Sequence, residues 1–239
     1  MSKAKPYVTP LRSTFGRAVF LGCLLAIGQG PISDAFARHK HENRAGIAGQ
    51  FDYYLLSLSW SPSYCLVHPE DDSQCHRRGY GFVLHGLWPQ YENGGYPQDC
   101  ATSATLTDEA FALGRTIYPS PRLIRHEWQE HGTCSGLDAM RYFRAADAAL
   151  AVVRIPQLFD APATDQHLQV EAIRRQFLTA NPAMPAEGLS ISCSRGELTE
   201  VRVCLSRELK LRRCEDRVSS QCDRAPLAIR YRNPVRSRD

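Results

Sequence analysis

Residues 125–134 read RHEWQEHGTC, a segment in which two histidines and two glutamates fall within six positions. If the segment is helical, with 3.6 residues per turn, His126, Glu130, Glu127 and His131 lie at about 0°, 40°, 100° and 140° around the axis. All four polar side chains then share one side of the helix. Such a cluster indicates either the solvated face of an amphipathic helix or a site for acid–base chemistry.

The flanking residues predict where this helix begins and ends. Ser120 is a suitable N-cap, and Pro121 suits the first helical position. Gly132 can follow the last turn as a C′ residue. Trp128, at about 200° around the axis, points away from the polar cluster and is expected to pack in the interior.

A zinc site is the main alternative for these histidines. A histidine followed by glutamate opens the zinc-protease pattern, in which the second histidine comes four residues after the first. Here His131 comes five residues after His126, which places it about 140° away on a helix. Because no CxxC pair occurs either, the sequence predicts neither a metal site nor a cofactor.

A second segment, residues 81–90, reads GFVLHGLWPQ. The apolar run predicts a buried strand that ends in a turn, with His85 near its exit. A histidine at the end of a strand, an exposed Trp88 and a helix that carries histidine and glutamate together indicate an acid–base site with an aromatic platform.

These two segments resemble the two active-site segments of the ribonuclease T2 family. The resemblance rests on residues 85–89, HGLWP, and on residues 126–134, HEWxxHGTC. It extends to residues 58–65, LSWxPxxC, and to the C-terminal cysteines, and so covers about residues 51–222. Membership of this family would make the protein a secreted, metal-independent endoribonuclease.

The resemblance implies roles for four side chains in the cleavage of RNA. His131 would be the general base that takes the proton of the attacking ribose 2′-OH, and His85 the general acid that protonates the leaving 5′-oxygen. His126 would hold the phosphate, and Glu127 would polarise it or orient a histidine. Histidines suit proton transfer because their pKa lies near working pH. The product would be a 2′,3′-cyclic phosphate, and DNA, which lacks the nucleophile, would not be cleaved.

The resemblance also implies that three residues surround the base on the 5′ side of the scissile bond. Trp88 and Tyr96 would stack on this base, and stacking tolerates any base. Gln90 stands where the family has a base-selecting aspartate. Because a glutamine amide both donates and accepts, a broad base preference is expected.

Glu130 is the clearest departure from the family, which usually has lysine at this position. A carboxylate cannot neutralise the negative charge of the transition state. One helical turn beyond His126, Glu130 is expected to pair with that imidazole, and the missing cation is expected to come from Arg122 or Arg125. The departure puts the rate in question rather than the reaction class.

The first 37 residues read as a secretory signal peptide. Four basic residues precede an apolar run at residues 18–28, and residues 35–37 form an A-x-A cleavage site. The run is too short to span a bilayer. A lipoprotein signal at Cys23 is the alternative. We expect cleavage near Ala37, export to the periplasm or the medium, and no stable membrane association.

Removal of this signal changes the charge and the cysteine count of the working protein. It takes away four of 29 basic and one of 25 acidic residues, which leaves 25 and 24 and a net charge of +1. Binding of RNA should therefore be local rather than driven by overall charge.

Eight of nine cysteines remain, an even number that implies disulfides in an exported chain but leaves their pairing open. We expect four pairs: Cys65–Cys75, Cys100–Cys134, Cys193–Cys222 and Cys204–Cys214.

The chain as a whole predicts one α+β domain, an antiparallel sheet packed with helices and held by disulfides. Strands are expected at residues 51–60, 81–90, 189–194, 198–205 and 208–213. Besides the catalytic helix, helices are expected at residues 105–118 and 137–153 and from about residue 164 to 178, with a loop at residues 61–79. A polar leader, residues 38–50, would precede a catalytic domain, residues 51–239, and we expect a monomer.

Two other functions fit the same residues. One is a different secreted, histidine-dependent phosphodiesterase, which activity on DNA or loss of activity with EDTA would reveal. The other is a catalytically weak or inactive protein of the same fold that serves binding or toxicity. The presence of His85, His131 and Glu127 together speaks against an inactive protein.

Overall fold

The structure is a computed structural model of the 239-residue chain. It describes residues 46–231 apart from residues 77, 99, 101–104, 161–163, 217, 221, 223 and 224. The expected signal peptide and the first part of the polar leader, which together make up residues 1–45, therefore lie outside the described residues.

The described residues form six strands and five α-helices. The strands are β1 (Tyr53–Trp60), β2 (Phe82–Gln90), β3 (Gln166–Leu168), β4 (Leu189–Ser194), β5 (Glu197–Leu205) and β6 (Leu227–Ile229). The helices are α1 (Ser61–Val67), α2 (Asp108–Ile117), α3 (Pro121–Glu130), α4 (Ala139–Val152) and α5 (Val170–Ala180), with 3₁₀ turns at Gly132–Ser135 and Gln157–Phe159. None of the helices in this part of the chain is long and apolar enough to cross a membrane.

One sheet contains all of these strands. Its order is β2, β1, β5, β6 and β3, and β4 also pairs with β5. The pairs are antiparallel except for the short contact between β5 and β6, in which Glu197 pairs with Ala228. The predicted α+β class, with helices packed on a largely antiparallel sheet, is therefore confirmed.

Strand β1 is the centre of the fold. One of its faces carries Leu56 and Trp60 into the main core, where Trp128 of α3 also lies as predicted. The opposite face carries Leu55, against which Trp88 of β2 packs. The alternation of leucine and serine predicted only one buried face, which is wrong because the second face is covered as well.

Helix α3 begins where its flanking residues predict. The Oγ of Ser120 accepts a hydrogen bond of 3.2 Å from the amide of Leu123, as an N-cap should. Its end differs from the prediction, because Gly132 begins a 3₁₀ turn and the left-handed residue is Gly136, at φ 74°. Gly132 is needed for space, since a Cβ there would lie 2.5 Å from Cε3 of Trp128.

Three other predictions of secondary structure are wrong. Residues 61–67 form helix α1 instead of a loop, because Pro62 lies in the first turn, where its missing N–H removes no hydrogen bond. The helix expected from about residue 164 starts at Val170, after the short strand β3. Residues 208–213 contribute only an isolated bridge to β5, and the last strand is β6.

Four disulfides cross-link the described residues: Cys65–Cys75, Cys100–Cys134, Cys193–Cys222 and Cys204–Cys214. These are the four pairs expected from the sequence. The bond between Cys100 and Cys134 spans 34 positions and joins the loop after β2 to the turn after α3. It thereby links the two segments that carry the motifs, and in the chain-entropy model a loop of this length contributes about 3–4 kcal/mol.

Candidate active site

His85 lies at a β-bulge inside β2. The pairing with β1 runs from Ser57–Gly86 directly to Leu58–Leu84, so that the register skips His85. The predicted position at the exit of the strand is wrong, because β2 continues through the whole HGLWP motif. Bulges re-aim a side chain and are frequent beside active sites. Here the bulge leaves the side chain of His85 33% exposed.

Two carboxylates flank the imidazole of His85. Its Nδ1 lies 2.5 Å from Oε1 of Glu200 on β5, and its Nε2 lies 3.9 Å from Oε1 of Glu127 on α3. Burial alone would lower the pKa of His85, but the hydrogen bond and charge of Glu200, with the charge of Glu127, raise it above its ordinary value. His85 therefore favours the protonated form.

Glu127 is fully buried and holds the indole of Trp88. Its Oε2 accepts a hydrogen bond of 2.8 Å from Nε1 of Trp88, whereas its Oε1 is buried without a hydrogen-bond partner. Burial raises the pKa of Glu127 to about 7, against the opposing effects of His85 and Trp88. An unsatisfied buried oxygen is destabilising, so the oxygen that faces His85 is open to a further hydrogen bond.

His131 is the C-cap of α3, and its pKa is shifted in the opposite direction to that of His85. Its Nδ1 is buried without a hydrogen-bond partner, which leaves Nε2 as the nitrogen that can meet a substrate. Burial, and then the neighbouring His126 and His85, lower the pKa of His131 to about 3. The imidazole of His131 is therefore neutral at pH values at which His85 favours its protonated form.

Trp88 lies between these two histidines. Its ring centroid is 5.0 Å from that of His85 and 5.3 Å from that of His131. The ring of Tyr96, which is half exposed, lies 6.0 Å from that of His131. Both residues predicted to stack on a base thus adjoin the same histidine.

A cleft of about 680 Å³ opens beside His85 and His126. It is also lined by Arg122 of α3 and by Tyr64 and His68 at the end of α1. His126 is exposed, and its ring centroid lies 6.4 Å from that of His131. His126 therefore shares the cleft with His85 and adjoins His131.

Gln90 is nearly buried, with 9% of its surface exposed. Its Nε2 donates a hydrogen bond of 2.9 Å to the carbonyl oxygen of Pro89. It lines a second cavity, of about 410 Å³, together with Gly94 and Gly95, which precede Tyr96 in the same loop. The cavity therefore lies beside the loop that carries Tyr96, with Gln90 in its wall.

The expected pair between Glu130 and His126 does not form, since Glu130 makes no ion pair within the described residues. The two candidate arginines differ in what they contact. The guanidinium of Arg125 lies 4.4 Å over the ring of Phe111 on α2, whereas Arg122 lines the cleft beside the histidines. Of the two, Arg122 is the one placed to supply a positive charge.

Glu200 and Arg202, which were not predicted as site residues from the sequence, complete the surroundings of His85. Arg202 donates to Oε2 of Glu200 through Nε at 2.8 Å and Nη2 at 2.7 Å, and its guanidinium lies 5.4 Å from the ring of Trp88. A signal was present in β5, where these two charges alternate with core valines. Such alternation is typical of a strand with one polar face.

The arrangement combines a histidine that favours its protonated form with one that is neutral, on either side of an aromatic ring. Two groups whose pKa values are moved apart suit a general acid and a general base. Among residues 46–231, as far as they are described, no three side chains of His, Cys, Asp or Glu are grouped so that they could hold a metal ion.

Sequence comparison relates the chain to known ribonucleases. The model of the ribonuclease T2 family matches residues 51–214. The chain is 45% identical over 130 residues to a ribonuclease of Aeromonas hydrophila, a match that spans 54% of each protein and so about half the length of that relative. It is 27% identical over 204 residues to a probable ribonuclease of Haemophilus influenzae, which covers 77% of this chain and 70% of that one.

Solved structures share the fold. The RNase-related protein from Calystegia sepium superposes with a TM-score of 0.62 at 21% identity, covering 77% of this chain and 98% of that chain. RNase NT in complex with 5′-AMP superposes with a TM-score of 0.54 at 23% identity, covering 76% and 98%. Since the family model matches well over half of the chain, including both histidine motifs, this protein belongs to the ribonuclease T2 family.

Proposed function

We propose that this protein is an exported endoribonuclease that cleaves single-stranded RNA by transphosphorylation. The observation that carries the proposal is the placement of two histidines on either side of Trp88, His85 against the carboxylate of Glu200 and His131 with a buried, unpartnered Nδ1. The pKa of His85 is raised, and that of His131 is lowered to about 3. A reaction that removes one proton and supplies another needs such a pair. The relatives named as ribonucleases support the activity, and four disulfides are typical of exported proteins.

The proposed reaction is a single displacement at phosphorus. Nε2 of His131 takes the proton of the ribose 2′-OH while the 2′-oxygen forms a bond to phosphorus. The bond from phosphorus to the 5′-oxygen breaks as that oxygen takes the proton from Nε2 of His85. The products are a 2′,3′-cyclic phosphate and a free 5′-hydroxyl. The two histidines then regain their starting states by exchanging protons with water.

The other residues of the site bind and orient the substrate in this proposal. His126 holds the phosphate, and Arg122 adds the positive charge that Glu130 cannot supply. Glu127 fixes Trp88 through the indole N–H and faces the proton that His85 donates. None of these steps uses a metal or a cofactor.

The positions of the two histidines imply a direction for the RNA chain. The base on the 5′ side lies against Trp88 and Tyr96, which adjoin the general base His131. The nucleotide on the 3′ side, whose oxygen is protonated, lies in the cleft of about 680 Å³ beside His85 and His126. A broad base preference follows from the stacking, which is tolerant of sequence. Related structures hold 5′-AMP, 5′-UMP or 5′-GMP.

Digestion of matched RNA and DNA oligonucleotides, with and without EDTA, tests this function. We expect RNA to be cut to cyclic-phosphate ends over about pH 5 to 8, the range in which a histidine pair works. EDTA should leave the rate unchanged, and DNA should stay intact because it has no 2′-OH. Cleavage of DNA, or loss of activity in EDTA, would identify another phosphodiesterase. Binding of RNA without cleavage would identify an inactive protein of this family.

Arg122 and Arg125 form a matched pair for testing the source of positive charge. Arg122→Ala is expected to lower kcat/KM on a dinucleotide by about 10- to 100-fold, the effect of losing a hydrogen bond to a charged group. Arg125→Ala should leave kcat/KM unchanged, because that guanidinium packs on Phe111 away from the cleft. Equal effects of the two substitutions on kcat/KM would show that neither arginine acts on the phosphate specifically.

A further inference from the structure

Glu200 contacts His85 but takes no part in the proposed proton transfers to and from the substrate. Its side chain is only 11% exposed. Oε1 accepts from Nδ1 of His85 and, at 3.2 Å, from Oγ of Ser59, while Oε2 accepts from the guanidinium of Arg202. Both oxygens are therefore engaged, so the carboxylate is held in one orientation.

We propose that Glu200 is a positioning residue for His85. By accepting the Nδ1 proton it holds the ring so that Nε2 carries the other proton and faces the leaving 5′-oxygen, and its charge keeps that proton in place until the bond to phosphorus breaks. The proton that His85 donates comes from Nε2, while the Nδ1 proton stays between His85 and Glu200 throughout. This inference rests on the proposed function and assigns a residue to it.

The Glu200 side chain reaches His85 across strand β1, next to the small side chain of Ser59. Strand β1 lies between β2 and β5, and Ser59 of β1 pairs with Glu200 on one side and with Val83 on the other. Because directly paired residues of neighbouring antiparallel strands point to the same face of a sheet, the Glu200 carboxylate lies on the same face as the side chain of Ser59. A serine at that point leaves room for the carboxylate to cross over β1 and reach the bulge that carries His85.

Within the described residues, the groups whose charges act on His85 are Glu200 and Arg202 of β5, Glu127 of α3 and His131 after α3. Arg122 and His126 of α3 line the cleft beside it. The two carboxylates differ in how firmly they stay ionised. Burial raises the pKa of Glu127 to about 7. Burial would also raise the pKa of Glu200, but His85 and Arg202 outweigh it and bring that pKa to about 2. Of the two carboxylates beside His85, Glu200 is therefore the one that stays ionised at the pH values at which the enzyme is expected to work.

The competing explanation is that Glu200 serves only to pair with Arg202 and to hold the sheet together. In that case its loss would change the stability of the fold but not the protonation of His85. The two explanations therefore differ in a measurable quantity, the pH at which His85 loses its proton. A histidine whose Nδ1 partner is removed loses both the preferred tautomer and the charge that stabilises imidazolium.

Glu200→Gln tests the proposal on the full chain. We expect kcat on a dinucleotide to fall by about 10-fold or more, the scale for residues that orient a functional histidine, with little change in KM. The basic limb of the kcat profile should move to lower pH, because an imidazolium without its carboxylate releases the proton more readily. NMR titration of His85 without substrate should show its pKa displaced in the same direction.

Glu197→Gln is the matched control. Glu197 lies on the same strand and pairs with the guanidinium of Arg230 at 2.9 and 3.0 Å, but it does not contact His85. It should leave kcat, the pH profile and the His85 pKa unchanged. Glu200→Asp keeps the charge at a greater distance, and should move the basic limb in the same direction as Glu200→Gln but by less.

An unchanged His85 pKa in either folded Glu200 variant would overturn the proposal. If Glu200→Gln does not fold, Glu200→Asp decides the question alone by the same two measurements. The NMR titration needs no substrate, so it judges the role of Glu200 even if the wild-type protein fails to cleave RNA. That failure would overturn the proposed function and leave the contact between Glu200 and His85 to be judged by itself.

Discussion

Alanine at His131 or at His85 is expected to lower kcat for RNA cleavage by about 10²–10⁴-fold, the usual contribution of a positioned general base or acid. Without His131 nothing takes the 2′-OH proton. Without His85 the 5′-oxygen must leave unprotonated. The measurement is kcat and KM on a dinucleotide for both variants, with thermal unfolding to show that the fold is intact.

His167→Ala is the control for the two histidine variants, since His167 is an exposed histidine of β3 outside the cleft. Its kcat should equal that of the wild type. The double variant of His85 and His131 should be about as slow as the slower single variant, because groups that act in one step are not additive. Near-full activity of His85→Ala with an intact fold would show that the roles are assigned wrongly.

The same two histidines predict the pH dependence of the wild-type rate. His131 must be neutral to act as the base, and its pKa of about 3 keeps it so under mild conditions. His85 must be protonated to act as the acid, and its pKa is raised. The rate should therefore fall as the pH rises through the pKa of His85, while loss on the acid side should come only at much lower pH. This basic limb is absent if His85 is not the acid.

Much of the fold could be predicted because its signals are local. The start of α3 follows from Ser120, whose side chain caps the helix within three residues. The start of α4 follows in the same way from Asp138, whose Oδ1 accepts from the amide of Arg141. Strand β4 and the connector before it follow from composition. Such features depend on residues that are close together in the chain, so they can be predicted from a single sequence.

The bulge at His85 could not be predicted for the opposite reason. Its existence depends on how β2 aligns with β1, and register is decided by the packing of the whole sheet. The short strands β3 and β6 raise the same difficulty. They pair with each other across about sixty positions of the chain and have only three residues each.

The electrostatics of the site are harder still to predict from the sequence. The motifs led us to propose His85 and His131 as an acid–base pair, but the residues of the motifs alone give no physical reason why one ring should be protonated and the other neutral. That assignment comes from burial of His131 and from the contact of His85 with Glu200, a residue 115 positions away. The family resemblance supplied the roles, whereas the surroundings of the two rings give a physical reason for them.

Gly86→Ala is expected to disable the site through space alone. A Cβ at Gly86 would collide with Oε2 of Glu127 and Nε1 of Trp88, the two atoms joined by the hydrogen bond of 2.8 Å. Glu127 is fully buried, so its carboxylate cannot move away into solvent. The methyl group should therefore break this bond and displace the indole from its place between the two histidines. We expect kcat/KM to fall by about 10²-fold, as small displacements in an active site do.

Gly114→Ala separates this effect from a general loss of stability. A Cβ at Gly114 would lie 2.8 Å from Cγ2 of Ile124, where α2 packs on α3, and so it crowds the core without touching the site. Both variants should lower the free energy of unfolding by about 1–3 kcal/mol, the range for overpacking. Only Gly86→Ala should also lower kcat/KM per folded molecule and change the fluorescence of Trp88. Wild-type kcat/KM in a folded Gly86→Ala protein would mean that catalysis does not depend on the bond between Glu127 and Trp88.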